Sequence, residues 1–175
     1  RMRTNVPHIH AIGDIVGDPM LAHKASHQGV VAAEVIAGQA AAFDVRAIPA
    51  VAYTDPEIAW AGLTETAAKS DGVEHEVASF PWTASARALT MGRPEGRTKL
   101  IVEPGTRRLL GAGIVGTNAG ELIAEAAHGL EMGAYAEDLA LTVHPHPTLS
   151  ETLMMSAQAA EGTITDLYLR GRSRR

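Results

Sequence analysis

Two apolar runs, Thr98 to Glu103 and Arg108 to Val115, are joined by a short loop built on Pro104-Gly105-Thr106. A parallel crossover needs a dozen or more residues, so a loop this short forces the runs to pair antiparallel as a hairpin. A third strand-like run, Glu74 to Phe80, precedes them. Pro49 to Thr54 alternates as a further strand that Asp55-Pro56-Glu57 turns, and a short helix from Thr64 to Lys69 closes at Ser70-Asp71-Gly72. Beyond residue 116 the apolar period lengthens. Gly120 to Met132 carries Leu122, Ile123, Ala126, Leu130 and Met132 at helical spacing and stops at Gly133, Ala136 to Leu141 is a shorter helix, and Leu149 to Ala160 places Leu153, Met154 and Ala157 on one face. Strands followed by helices predict an α+β domain over residues 47–175, an antiparallel sheet with helices packed on one face.

The first 46 residues read differently. Residues 5 to 12, Asn-Val-Pro-His-Ile-His-Ala-Ile, predict a short buried strand ending at Gly13-Asp14, with a turn at Gly17 and Pro19. From Met20 to Gln39, the residues Leu21, Ala25, Val30, Val31, Ala33, Val35 and Ile36 recur near the helical period, and Gly38 is placed to end the helix. Composition changes over residues 40–48, which puts a boundary between a strand-helix unit, 1–46, and the sheet domain, 47–175. A length of 175 residues suits one core and part of a second.

A net charge of -5 disfavours general nucleic-acid binding, which draws on clustered Lys and Arg. Arg170, Arg172, Arg174 and Arg175 make a basic end, read as a solvated terminus. Neither a membrane-spanning apolar run nor a signal peptide is evident, so a soluble, non-secreted protein is expected. There is no cysteine, so thiol chemistry must draw its sulfur from outside these residues.

Several motifs suggest chemistry. Gly111-Ala112-Gly113-Ile114-Val115-Gly116 spells the dinucleotide fingerprint, but its glycines fall within a hairpin strand rather than in a strand-to-helix turn, which argues against cofactor binding there. His8 with His10, and His144 with His146, have strand spacing for a metal, yet no third ligand is evident and Pro145 breaks the second pair. His23 and His27 have the spacing of a metalloprotease helix, but Lys24 stands where its glutamate would be; no metal is expected. In His144-Pro145-His146-Pro147-Thr148-Leu149-Ser150-Glu151, a histidine precedes a carboxylate by five residues. That suits a general base and its orienting group, while Thr148 to Glu151 equally spells a helix capping box, which spacing alone favours.

Four segments in order carry a resemblance: Ala11-Ile12-Gly13-Asp14, Met20-Leu21-Ala22-His23-Lys24-Ala25, Tyr53-Thr54-Asp55-Pro56-Glu57-Ile58-Ala59-Trp60-Ala61-Gly62, and His146-Pro147-Thr148-Leu149-Ser150-Glu151. Together they resemble the C-terminal part of the dihydrolipoamide dehydrogenase family, in its bacterial forms, from about residue 5 through Asp166. The resemblance implies that residues 1–46 are the last strand and helix of an FAD-binding domain and that the rest is the interface domain of a homodimer.

It further implies that His146 is the base and Glu151 its orienting carboxylate, that Asp14 hydrogen-bonds a hydroxyl of FAD, and that Met20, Leu21, Ala22, His23 and Pro147 lie at the cofactor. Without the resemblance, Asp14 reads as a turn or cap carboxylate. The His146-Pro147 bond is expected cis, and His144 is expected to be structural. By the same likeness the intact protein is a cytoplasmic bacterial enzyme that oxidises dihydrolipoyl groups on the acyltransferases of 2-oxo acid dehydrogenase complexes, with FAD and with NAD as acceptor. This chain alone is expected to be an inactive piece from which FAD is lost. The alternatives are a dimerisation module without cofactor, or a related glutathione or mercuric reductase.

Overall fold

A computed structural model describes residues 1–168. The basic end at Arg170, Arg172, Arg174 and Arg175 lies outside the described residues. The chain divides into two compact units, Arg1–Ile48 and Pro49–Arg175, two residues beyond the boundary read from composition.

In the first unit a 3-10 turn, Gly13–Val16, leads to helix α1, Ala22–Ile36. The helix presents two polar residues inward. Gln28 Oε1 accepts the Gly13 N–H at 2.8 Å, and Lys24 Nζ donates to the Gly17 carbonyl, so both polar groups are satisfied where they are buried. The buried strand expected over residues 5–12 does not form. Its ladder pairing is limited to an isolated Arg3–His10 bridge, and Val6 and Ile9 are 37% and 47% exposed. Its backbone groups are consumed locally instead: Thr4 Oγ1 accepts the Val6 N–H, Ile9 N–H donates back to Val6, and Pro7 has no N–H to offer a neighbour.

The second unit is α+β. Its elements run β1 (Ala50–Ala52), β2 (Glu57–Gly62), α2 (Glu65–Asp71), β3 (Glu76–Pro81), α3 (Ala86–Thr90), β4 (Arg97–Val102), β5 (Leu109–Gly116), α4 (Ala119–Met132), α5 (Ala136–Leu141) and α6 (Glu151–Glu161). The sheet order is β1-β2-β5-β4-β3, with every pairing antiparallel. The β4–β5 hairpin is the one its short loop dictates. Strand β2 is an addition to the sequence reading, which took Glu57 only as part of a turn; its small residues Ala59, Ala61 and Gly62 give little strand signal until β5 pairs with them.

Ala59, Ala61, Ala78, Phe80, Thr98, Leu100, Ala112 and Ile114 face the helices, while Ile58, Trp60, Val77 and Val115 face away and are about two-fifths exposed. Helix α4 packs over β1, β2 and β5, and α6 packs over β3 and β4. Burying a large aliphatic or aromatic side chain contributes roughly 1.5–3 kcal/mol, so Phe80, Leu100, Ile114 and Leu153, each 2% exposed or less, dominate what holds these layers together.

The glycines of the fingerprint-like run serve packing. A Cβ at Gly111 would come within 2.0 Å of the Leu63 carbonyl, and one at Gly116 within 2.3 Å of the Trp82 ring. Both lie in β5 of the antiparallel sheet, not at a parallel strand-to-helix turn.

Candidate active site

Helices α5 and α6 are joined by residues 142–150, and this connection carries both histidines of the His144-Pro145-His146 run. Glu151 is the first residue of α6, where a negative charge is favoured by the exposed N–H groups of the helix start. Its Oε1 lies 2.9 Å from His146 Nδ1, and its Oε2 accepts the Thr148 N–H at 2.7 Å. A carboxylate can only accept, so Nδ1 of the ring carries the proton in this pair. In the neutral form of the ring, Nε2 then keeps its lone pair. His146 is 67% exposed and Glu151 10%, so the arrangement holds a basic nitrogen toward solvent on a buried carboxylate.

The capping box expected from Thr148 to Glu151 is half made. Glu151 reaches back to the Thr148 backbone as the motif requires, but the Thr148 hydroxyl turns the other way and donates to the Pro145 carbonyl at 2.7 Å. Residue 148 thereby ties the turn to itself on both sides of the cis His146-Pro147 bond. Because Glu151 has two oxygens, its contact with the Thr148 backbone and its contact with the His146 ring coexist.

His144 has a different environment. Its side chain is 5% exposed, its Nε2 lies 2.8 Å from Glu125 Oε1 on α4, and its Nδ1 lies 2.9 Å from the Thr142 carbonyl. Sequence reasoning missed Glu125. Nineteen positions separate the partners, and on the helix pattern Glu125 is one more polar residue of an amphipathic face. The two histidines address different carboxylates, and among the described residues no three His, Cys, Asp or Glu side chains converge as a metal site.

The remaining candidates lie in the first unit. Asp14 is exposed within the 3-10 turn, as are Met20, Ala22 and His23 at the start of α1, while Leu21 is half-buried. Leu21 occupies the N-cap position without a side-chain hydrogen bond, leaving the first N–H groups of a 15-residue helix uncapped by a side chain.

Comparison with known proteins bears on what these residues belong to. Residues 48–157 match the pyridine nucleotide-disulphide oxidoreductase dimerisation domain. Over 167 residues, 95% of this chain, the sequence is 58% identical to the dihydrolipoyl dehydrogenase of Vibrio cholerae and 59% identical to that of Haemophilus influenzae. The chain spans about a third of the length of these curated relatives, 35% in each case. Among solved structures, LpdA from Mycobacterium tuberculosis superposes with a TM-score of 0.83 at 28% identity, over 90% of this chain and 34% of that one. The flavoprotein disulfide reductase RclA from Escherichia coli, at 24% identity and a TM-score of 0.81, shares the fold. Among the described residues, no helix is long and apolar enough to cross a membrane.

Proposed function

The chain belongs to the dimerisation-domain family of the pyridine nucleotide-disulphide oxidoreductases, and from that premise we propose that it supplies the base and the subunit interface of a homodimeric, cytoplasmic bacterial dihydrolipoyl dehydrogenase. The substrate is the dihydrolipoyl group carried by the acyltransferases of 2-oxo acid dehydrogenase complexes, and NAD is the final acceptor. The observation that carries this reading is the exposed imidazole of His146, backed at Nδ1 by Glu151.

A dithiol substrate explains the need for such a nitrogen. A thiol with a pKa of about 8.5 is only a few per cent thiolate at neutral pH, and the thiolate is the species that attacks a disulfide. His146 Nε2 accepts the proton of the attacking thiol, and Glu151 holds the ring and stabilises the imidazolium that results. The thiolate displaces one sulfur of the enzyme disulfide, and the second substrate thiol then closes lipoamide and leaves the enzyme as a dithiol. The proton held at Nε2 is available to the displaced sulfur. With no cysteine, this chain does not contain that disulfide, so the 175 residues by themselves do not turn over substrate.

FAD, when bound, supplies the two-electron relay between the enzyme dithiol and NAD. Asp14 and the Met20 to His23 stretch would hold it, with Pro147 near the base. The uncapped start of α1 and the exposed Asp14 carboxylate fit a phosphate- and ribityl-bearing ligand, and Ile15, Val16 and Met20, 84%, 44% and 64% exposed, fit contact with further apolar surface. The naming of the relatives as dihydrolipoyl dehydrogenases supports lipoyl over glutathione or mercuric ion.

Replacing His146 by Gln in the intact dehydrogenase tests the reading. Dihydrolipoamide oxidation should fall by about a hundredfold to ten-thousandfold, and a rate within a few-fold of normal would overturn it. An absorption spectrum of the purified chain separates the second reading, a dimerisation module alone: a flavin band retained through gel filtration supports a surviving FAD site, and its absence leaves the module.

A further inference from the structure

Four polar side chains lie in the core under α6, where apolar ones would pack as well. Trp82, Thr98, Thr152 and Ser156 are 0%, 0%, 1% and 0% exposed. Trp82 Nε1 donates to Thr98 Oγ1 at 3.0 Å, Thr98 Oγ1 lies 2.8 Å from Thr152 Oγ1, and Thr152 Oγ1 donates to the Leu149 carbonyl at 2.7 Å. The direction of the middle bond follows from the ends. An indole N–H can only donate and a carbonyl can only accept, so the arrangement that uses every proton runs Trp82 to Thr98 to Thr152 to Leu149. The Ser156 hydroxyl reinforces it from the next turn of the helix, 3.1 Å from the Thr98 carbonyl and 2.8 Å from that of Thr152.

The seat of the indole is built as deliberately as the chain. A Cβ at Gly96 would meet the ring at 2.8 Å and one at Gly116 at 2.3 Å, so both positions leave room for Trp82 and hold it in one place. At the other end, Leu149 lies between His146 and Glu151. Its carbonyl accepts both the Thr152 hydroxyl and, at 3.1 Å, the Thr152 N–H, which closes the turn that sets where Glu151 begins α6. Buried hydroxyls are costly unless every one is paired, and fully paired they select one geometry.

We infer that Trp82, Thr98 and Thr152 are positioning residues, a one-way hydrogen-bond chain that anchors the turn between base and carboxylate to the sheet and so keeps Glu151 against His146 Nδ1. This deepens the proposed function and rests on it for its catalytic consequence, though not for its geometry. When the Thr152 hydroxyl is removed, Leu149 is released on one side, Glu151 moves, and the ring loses the partner that selects its tautomer.

The test reads the tautomer directly in the full 175-residue chain, by nitrogen NMR of histidine-labelled Thr152→Val, Thr152→Ser and Trp82→Phe. In the native chain neutral His146 carries its proton on Nδ1. Thr152→Val should raise the Nε2-protonated fraction several-fold, and Thr152→Ser, which keeps the hydroxyl, should restore the native signature even if it lowers the melting temperature. If Thr152→Val does not fold, Trp82→Phe should shift the tautomer in the same direction by less. A native tautomer in folded Thr152→Val or, failing that, in folded Trp82→Phe overturns the inference and leaves the network as packing. In the intact dehydrogenase the same Thr152→Val change should lower kcat by about tenfold to a hundredfold with KM little changed. A shifted tautomer with undiminished kcat supports the positioning chain and overturns the role proposed for His146.

Discussion

Glu151 Oε1 lies 2.9 Å from His146 Nδ1, with the carboxylate 10% exposed and the imidazole 67% exposed. Burial of the acceptor and exposure of the ring suit the division proposed for them, in which one group fixes geometry and the other meets the substrate. Replacing Glu151 by Gln in the intact dehydrogenase keeps the volume but ends the preference for a proton on Nδ1, because an amide can present either its oxygen or its NH₂. Steady-state kinetics should show kcat reduced by about tenfold to a hundredfold, a milder loss than for His146→Gln, since the proposed base remains.

The Glu125–His144 contact fastens the same connection to α4. With Glu125 replaced by Ala, a ring nitrogen on a side chain that is 5% exposed loses its acceptor. Leaving a buried donor unmade costs about 1–3 kcal/mol, which thermal unfolding of the chain should register as a lower melting temperature. Glu125→Gln, which can still accept, should lose less.

At Gly116 the limit is steric. A methyl group there meets Trp82 at 2.3 Å on a backbone whose φ is +153°. Gly116→Ala should destabilise the chain by about 1–3 kcal/mol in urea denaturation, and pairing it with Trp82→Phe should recover part of the loss because the smaller ring frees the space.

Acid should weaken one surface contact in a defined direction. Glu65 is held below the ordinary carboxylate range first by its hydrogen bond with Lys99, with the charge of Lys99 adding to this against the opposing effect of burial. A carboxylate with a depressed folded pKa stabilises above its unfolded value, and that contribution is lost as pH falls through the folded one. Both side chains are about a third exposed, 32% and 39%, so the effect is below about 1 kcal/mol. Lys99→Met should flatten the decline of the urea midpoint between about pH 6 and about pH 3 relative to the native chain.

What could be read along the chain was what depends on near neighbours. The 104–106 loop dictates the β4–β5 hairpin, Gly72 and Gly133 close α2 and α4 in the left-handed conformation at the positions their spacing indicates, and α5 spans the predicted Ala136 to Leu141. The His146–Glu151 pair belongs to the same class, since five residues of turn bring the partners together. Residues 5–12 failed for the converse reason: apolar composition suggests a strand, but a strand needs a neighbour to pair with, and Thr4 and Pro7 settle the backbone into a turn.

Sequence and local chemistry therefore specified the β4–β5 hairpin, helices α2, α4 and α5, the α+β class and the nearness of His146 to Glu151, because helix period, turn residues and a five-residue separation act through nearby atoms. Tertiary structure alone decided the insertion of β2 beside β5, the seating of His144 on Glu125, and the buried chain from Trp82 through Thr98 to Thr152, whose links span 16 and 54 residues. No local propensity marks a threonine as the acceptor for an indole so far away. Only the packing of α6 on the sheet brings those groups together, and the cost of burying a polar group unpaired makes the meeting specific.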